Sequence, residues 1–112
     1  SVVTYTLEVP PSANRWWRRF GTRMVLSDEA RFYKAKVKAM LHGKAKPLKG
    51  DVSLTMAWYR GRKSGDLDKR EGILIDALQG VLYDNDKQIT VIHAYRYEDK
   101  DNPRMEVSVS NA

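Results

Sequence analysis

Cysteine is absent from this 112-residue chain, which also contains only two histidines. The missing cysteines exclude disulfides, thiolate zinc sites and thiol nucleophiles, and they are typical of a reducing compartment. His42 and His93 are too far apart in sequence to show any metal-ligand spacing. No apolar run approaches the ~20 residues of a membrane span, and no signal-peptide pattern opens the chain. The sequence therefore predicts a cytoplasmic protein with no membrane partner.

Acidic residues are fewer than basic ones: 14 Asp and Glu face 20 Lys and Arg, for a formal net charge of +6. This balance favours a polyanionic partner such as nucleic acid. Three Trp and six Tyr would add aromatic surfaces on which exposed bases can stack. The alternative for both features is ordinary, namely a charge coat that keeps the protein in solution and aromatic residues that fill the core.

The hydrophobic pattern predicts an α+β fold, close to α/β, in a single domain that spans residues 1–112. Helical spacing predicts one helix from about Asp28 to Leu41, after an N-cap at Ser27, and a second helix that begins near Asp68. Extended patterns predict four strands, at 2–9, 52–59, 88–97 and 105–109. The order strand, helix, strand, helix, strand, strand predicts a mixed sheet with both helices packed on it.

Three segments carry more specific expectations. Apolar residues occupy both faces of 88–97, which predicts a central strand. Residues 15–23 show no period and are predicted to form a loop over the sheet, with Trp16 or Trp17 buried. One stripe of the first helix is predicted to lie in the core: Ala30, Tyr33, Val37, Met40 and Leu41.

The clearest chemical signal is Asp66-Leu67-Asp68, which follows the basic run Arg60-Gly61-Arg62-Lys63. Side chains two residues apart on an extended backbone share a face, so both carboxylates are expected to point into one volume. Two anions held that close require a cation or a shared proton, and carboxylate oxygens suit Mg²⁺. The alternatives are a solvated acidic turn and, for Asp68, a helix N-cap.

A further acidic cluster, Asp84-Asn85-Asp86, follows the second helix. A helix of about ten to fourteen residues separates its ends by ~15–20 Å, so the helix itself does not bring the two clusters together. They meet only if Asp86 lies on a segment that returns toward the first cluster.

Nine basic residues are predicted to contact the phosphates of a nucleic acid, the alternative being a solvated basic surface. They are Arg15, Arg18, Arg19, Arg23, Arg60, Arg62, Lys63, Lys69 and Arg70.

Several spaced motifs resemble the RusA-type Holliday junction resolvases of bacteria and their phages, over about Thr4 to Val109. The motifs are Asp66-Leu67-Asp68, Asp76-Ala77-Leu78-Gln79-Gly80-Val81-Leu82-Tyr83, Asn85-Asp86-Lys87-Gln88-Ile89 and the early Pro10-Pro11-Ser12-Ala13-Asn14-Arg15. The resemblance implies a magnesium-dependent, structure-selective endodeoxyribonuclease that resolves four-way DNA junctions by paired symmetric nicks in recombination and repair. It also implies a location in the cytoplasm of a bacterial or phage-infected cell.

The resemblance further implies that Asp66, Asp68 and Asp86 are the catalytic residues and hold Mg²⁺, with Mn²⁺ as a substitute. It implies a homodimer in which these carboxylates meet, and a two-fold axis suits a four-way junction. Two positions depart from the family pattern: Lys69 replaces an asparagine, and Gly72 replaces a lysine that assists catalysis. A neighbouring cation, namely Lys69, Arg70 or a loop base such as Lys63, can compensate. The alternative is a junction- or duplex-binding homologue with weakened catalysis, and a third hypothesis is a basic protein-interaction module.

Overall fold

The computed structural model describes residues 3–61 and 67–112, and for residues 67–69 it describes the backbone alone. The predicted α+β class is confirmed, because two helices accompany a mixed β-sheet. The strands are β1 (Thr4–Leu7), β2 (Trp17–Phe20), β3 (Arg23–Leu26), β4 (Val52–Arg60), β5 (Ile89–Glu98) and β6 (Arg104–Asn111). The helices are α1 (Asp28–Leu41) and α2 (Leu67–Leu78), and 3₁₀ turns occur at Ala13–Arg15 and Asp86–Gln88. Neither helix has the length and hydropathy that crossing a bilayer requires in the described ranges.

The main sheet has the strand order β1-β6-β4-β5. β4 pairs antiparallel with β6 and parallel with β5, with Arg60 opposite Glu98 and Val52 opposite Ile89. A parallel pair needs a crossover connection, and α2 lies in the connection from β4 to β5. The chain therefore enters α2 from the C-terminal end of β4 and leaves α2 toward the N-terminal end of β5.

Local signals account well for α1. The Ser27 hydroxyl accepts a hydrogen bond from the Ala30 backbone N–H, which satisfies one of the otherwise unpaired donors of the first turn. The predicted bounds of this helix are confirmed. Its predicted buried stripe is confirmed except at Met40, which is 42% exposed because it lies at the margin of the stripe.

One face of the sheet carries the core. Side chains of β4 alternate between buried and half-buried, and the buried set continues across β6 and onto the inner sides of both helices. The principal buried residues are Leu54, Met56, Trp58, Met105, Val107, Val37, Leu41, Leu74 and Leu78. The other face, termed here the open face, is half-buried or exposed and includes Thr55, Tyr59, Tyr95 and Tyr97.

Two predictions about strands are wrong. The 88–97 segment is a strand, but β5 forms the edge of the sheet, and Val91, Ile92, Tyr95 and Tyr97 are each about 40% exposed or more. Its apolar residues on two faces indicated burial, yet among the described strands only β4 pairs with it.

The 15–23 segment is not a loop, because its residues from Trp17 onward belong to an antiparallel hairpin of β2 and β3. A two-residue turn, Gly21-Thr22, joins the strands, and Gly21 has a φ of 63°, which glycine adopts without steric cost. Trp16 is the buried tryptophan of the predicted pair, and Trp17 is 51% exposed.

Candidate active site and nucleic-acid interface

The side chains of the first acidic cluster, Asp66-Leu67-Asp68, are not among those that the structure describes. Asp66, Arg62 and Lys63 lie outside the described ranges altogether. Asp68 and Lys69 belong to the first turn of α2, where only the backbone is described. Their predicted roles stay predictions, and what the structure adds is the place of Asp68 at the N-terminal end of α2.

Asp86 lies at the other end of this helix, on a turn that is fixed by hydrogen bonds. Its backbone N–H donates to Gln79 Oε1 at 3.0 Å, and Gln79 directly follows α2. The Asn85 side chain caps the 3₁₀ turn, and Gln88 Oε1 accepts from the backbone N–H groups of Asp84 and Asn85 at 2.8 and 2.9 Å. The backbone of Asp86 is thus well ordered by its neighbours while its side chain is exposed.

Gln88 and Tyr83 attach this turn to the rest of the fold. The Gln88 amide donates to the backbone carbonyls of Leu48 and Gly50, both at 2.8 Å, just before β4. The Tyr83 hydroxyl donates to Ile75 O at 2.6 Å, and burial followed by the charge of Asp86 raises its pKa, so the phenol stays neutral. Tyr83 and Gln88 belong to the motifs that resemble the family. The contacts that the structure shows for them hold the turn in place.

Asp68 and Asp86 are separated within one chain. A 12-residue helix is about 18 Å long, and Asp68 and Asp86 lie at its opposite ends. Within the part of the chain that the structure describes, no three His, Asp or Glu side chains come together as a metal site would require.

The Asp76 carboxylate has two described partners in other segments of the chain. It accepts a hydrogen bond from the Trp16 indole N–H at 3.3 Å and lies 3.7 Å from Lys34 Nζ. It therefore connects α2 to the segment before β2. Sequence reasoning assigned no role to this contact, because nothing local links positions 60 residues apart.

Gly72 lies on the exposed side of α2. A Cβ added at this position would meet no described heavy atom within 4 Å. Among the described residues, therefore, nothing crowds this position in a way that would exclude the lysine of the family pattern.

Some of the arginines predicted to contact phosphates have exposed side chains, and Arg60 is instead held in an ion pair within the protein. Arg15, Arg18, Arg19 and Arg23 are exposed on the 3₁₀ turn and the hairpin, as expected. Arg60 is different: its side chain is only 11% exposed and pairs with Glu98 at 2.8 Å.

Arg70 is partly buried beside the start of α2. It donates to the Pro10 carbonyl and lies 5.3 Å from the Trp58 ring. Burial, and then the nearby charge of Arg15, lowers its pKa. The end of α2 that carries Asp68 is therefore also the end near these two cations.

Sequence analysis missed a cluster of tyrosines on the open face. The Tyr59 and Tyr97 rings stack at 5.0 Å, and Tyr95 lies 6.2 Å from Tyr97. Arg104 covers Tyr59 at 3.8 Å, but Asp99 and Glu106 each bind its guanidinium at 2.8 Å. These carboxylates offset the charge of Arg104, which is the cation closest to the stacked rings among the described contacts.

The comparisons with known proteins agree with the motif-based resemblance. A family model described as "Endodeoxyribonuclease RusA" matches residues 7–110, which is nearly the whole chain. The search of the curated proteins finds no match.

Proposed function

Because the chain belongs to the RusA endodeoxyribonuclease family, we propose that it is a structure-selective nuclease that resolves Holliday junctions by paired symmetric nicks. The family match over residues 7–110 is the observation that carries this proposal. DNA recombination and repair are the processes in which four-way junctions need such an enzyme.

The proposed metal ligands are Asp66, Asp68 and Asp86, with Mg²⁺ as the ion and Mn²⁺ as a substitute. Carboxylate oxygens are the donors that Mg²⁺ prefers, and Asp86 offers an exposed carboxylate on a well-fixed turn. When bound, the ion would activate water for attack on a phosphodiester and neutralise charge at the leaving oxygen.

The separation of Asp68 from Asp86 favours a site that two subunits share. About 18 Å of helix lies between the two residues in one chain, which is too far for one metal ion. A homodimer, which the family resemblance implies, would let Asp86 of the partner subunit complete the site. Each dimer would then contain two such sites related by a two-fold axis.

The edge strand β5 is a suitable surface for this dimer. It presents ten residues of strand with β4 on one side only among the described strands, and exposed Val91 and Ile92 flank its backbone. Two copies of β5 that pair antiparallel would place the N-terminal end of one beside the C-terminal end of the other. The partner strand would lie about 10 Å from β4, which is two strand spacings.

This pairing would bring the two acidic clusters together. β5 runs parallel to β4, so its C-terminal end adjoins Arg60, from which the chain leads into α2 and Asp68. Asp86 precedes β5 by three residues, so Asp86 of the partner subunit would approach that same end.

Exposed arginines supply the proposed contacts with DNA phosphates. Arg18, Arg19 and Arg23 project from the β2–β3 hairpin, and Arg15 precedes it. Affinity that depends on such contacts falls steeply as salt concentration rises. Arg62, Lys63 and Lys69 are proposed partners of the same kind on sequence grounds, and a basic protein-interaction module would lack this salt dependence.

A second candidate function follows from Gly72. A homologue without the assisting lysine would bind junctions or duplex DNA and cut them slowly or not at all. Lys69 or Arg70 would have to supply the cation if cutting is fast.

A synthetic mobile four-way junction and a linear duplex of the same sequence, each with magnesium or with EDTA, test these proposals. We expect paired nicks in the junction alone, and only with magnesium. Asp68→Asn should abolish cutting and retain junction affinity. Equal cutting of the linear duplex would contradict structure selectivity, and tight junction binding without cutting would favour the second candidate.

A further inference from the structure

The β2–β3 hairpin exposes large apolar side chains together with arginines. Trp17 is 51% exposed, Phe20 is 61% exposed and Met24 is 62% exposed. Together with the Gly21-Thr22 turn, these two strands are called here the basic hairpin. Its two strands pair with each other and form a sheet separate from the main one.

The register of the basic hairpin places Phe20 on the same face as two arginines. Phe20 pairs directly with Arg23, so their side chains share one face of the ribbon. Arg18, two residues before Phe20 on that face, has its guanidinium carbon 5.8 Å from the ring centroid. An exposed aromatic ring thus shares one face of the ribbon with two arginines, beside the turn of the hairpin.

The base of the basic hairpin is attached by hydrogen bonds, and Phe20 lies beside the turn at its other end. The Ser27 backbone N–H donates to Trp16 O at 2.9 Å, and its hydroxyl donates to Arg15 O at 2.6 Å, which ties the two ends of the ribbon together. Buried Trp16 binds Asp76 on α2. These contacts attach the base of the basic hairpin to α2 and to the N-terminus of α1.

We propose that Phe20 stacks on a base that has left the helical stack at the branch point of DNA, while Arg18 and Arg23 contact the flanking phosphates. DNA-binding proteins insert side chains such as Phe between weakened base steps, and an unstacked base can stack on an aromatic ring. The two arginines select a polyanion over an apolar protein surface. This proposal rests on the proposed function and names the part of the substrate that the basic hairpin recognises.

Equilibrium binding of Phe20→Ala to a labelled four-way junction and to a matched linear duplex, in EDTA to prevent cutting, tests the proposal. We expect junction affinity to fall at least about fivefold, which is the low end of what one stacked base contributes. Duplex affinity should change less than about twofold, and Phe20→Trp should restore junction binding because it keeps an aromatic face.

Phe32→Ala is the matched control, since Phe32 is 68% exposed on α1. It should bind both DNAs like the parent. Thermal unfolding of both variants confirms that neither change disturbs the fold.

The outcomes separate the two proposals. If the parent binds junctions and Phe20→Ala binds them equally well, the stacking role is wrong and the nuclease proposal stands. If Phe20→Leu restores junction affinity as well as Phe20→Trp does, the contact is merely apolar and base stacking is contradicted. If the parent neither binds nor cuts branched DNA, the proposed function itself fails.

Discussion

Gln79 attaches Asp86 to the C-terminal end of α2, because its Oε1 accepts a hydrogen bond from the Asp86 backbone N–H at 3.0 Å. Asp68 lies in the first turn of the same helix. The helix is therefore a spacer of about 18 Å between two aspartates that the proposed chemistry requires at one metal ion. A two-fold dimer would remove the separation by giving each site its aspartates from both subunits.

Asp68→Asn and Asp86→Asn are each expected to abolish junction cutting, because each removes one anionic ligand of the proposed metal. If each site contains Asp68 of one subunit and Asp86 of the other, a heterodimer of the two variants retains one intact site. We expect the co-expressed pair to nick one strand per junction, while neither variant alone nicks any. Denaturing gels of end-labelled junction strands measure the result.

Asp84→Asn is the control for charge removal in the same turn. Asp84 is exposed and pairs with Lys49 at 2.6 Å, so its loss should leave cutting near the parental rate. A doubly tagged, purified heterodimer that cuts nothing would contradict a site shared between subunits.

Gly72→Lys is expected to raise the single-turnover cutting rate at least about tenfold if a missing cation limits the reaction. The position is exposed, and an added Cβ would meet no described heavy atom within 4 Å, so the side chain can be accommodated. Quenched-flow or manual time courses with excess enzyme measure the rate.

Gly72→Ala is the control that distinguishes the effect of an added charge on the cutting rate from the effect of a more stable helix. Both substitutions remove a helix penalty of about 1 kcal/mol, so both should raise the unfolding temperature. Equal cutting rates in the alanine and lysine variants would show that no catalytic cation is missing.

The sequence predicted best those elements whose signals are local. Ser27 caps α1 through its own hydroxyl, and the alternation along β4 corresponds to one buried and one half-buried face. The pattern of β5 was misleading because its exposure depends on which strands pair with it, and no residue of β5 encodes that. The hairpin was missed because exposed strands show no hydrophobic alternation.

The candidate site shows the same division between local and distant information. Motif spacing identified Asp68 and Asp86 as residues of interest, and it also predicted that α2 does not bring them together. The contact between Trp16 and Asp76 joins segments 60 residues apart, and sequence periodicity carries no information on such a pair. The proposed pairing of two subunits depends on contacts that are further still from what one chain encodes locally.

Ile92→Lys is expected to weaken the proposed dimer and, with it, junction cutting. Ile92 is 45% exposed on the edge strand β5, and a lysine on an edge strand opposes pairing with another strand. Sedimentation velocity should show a shift from dimer to monomer at micromolar protein concentration. Met40→Lys is the control, because Met40 is 42% exposed on α1, and an equal shift in both variants would exclude β5 as the specific interface.

Trp16→Ala is expected to destabilise the protein by about 3–5 kcal/mol, because it removes a fully buried indole and leaves a cavity. Trp17→Ala should cost less than about 1 kcal/mol, since half of that side chain is exposed. Urea unfolding followed by circular dichroism compares these adjacent tryptophans. Trp16→Phe keeps an aromatic ring but removes the hydrogen bond to Asp76, which costs about 1 kcal/mol, and the smaller ring adds a further cost. If Trp16 positions the basic hairpin, Trp16→Phe should also lower junction affinity while still folded, and unchanged affinity would show that the hairpin is held by its other contacts.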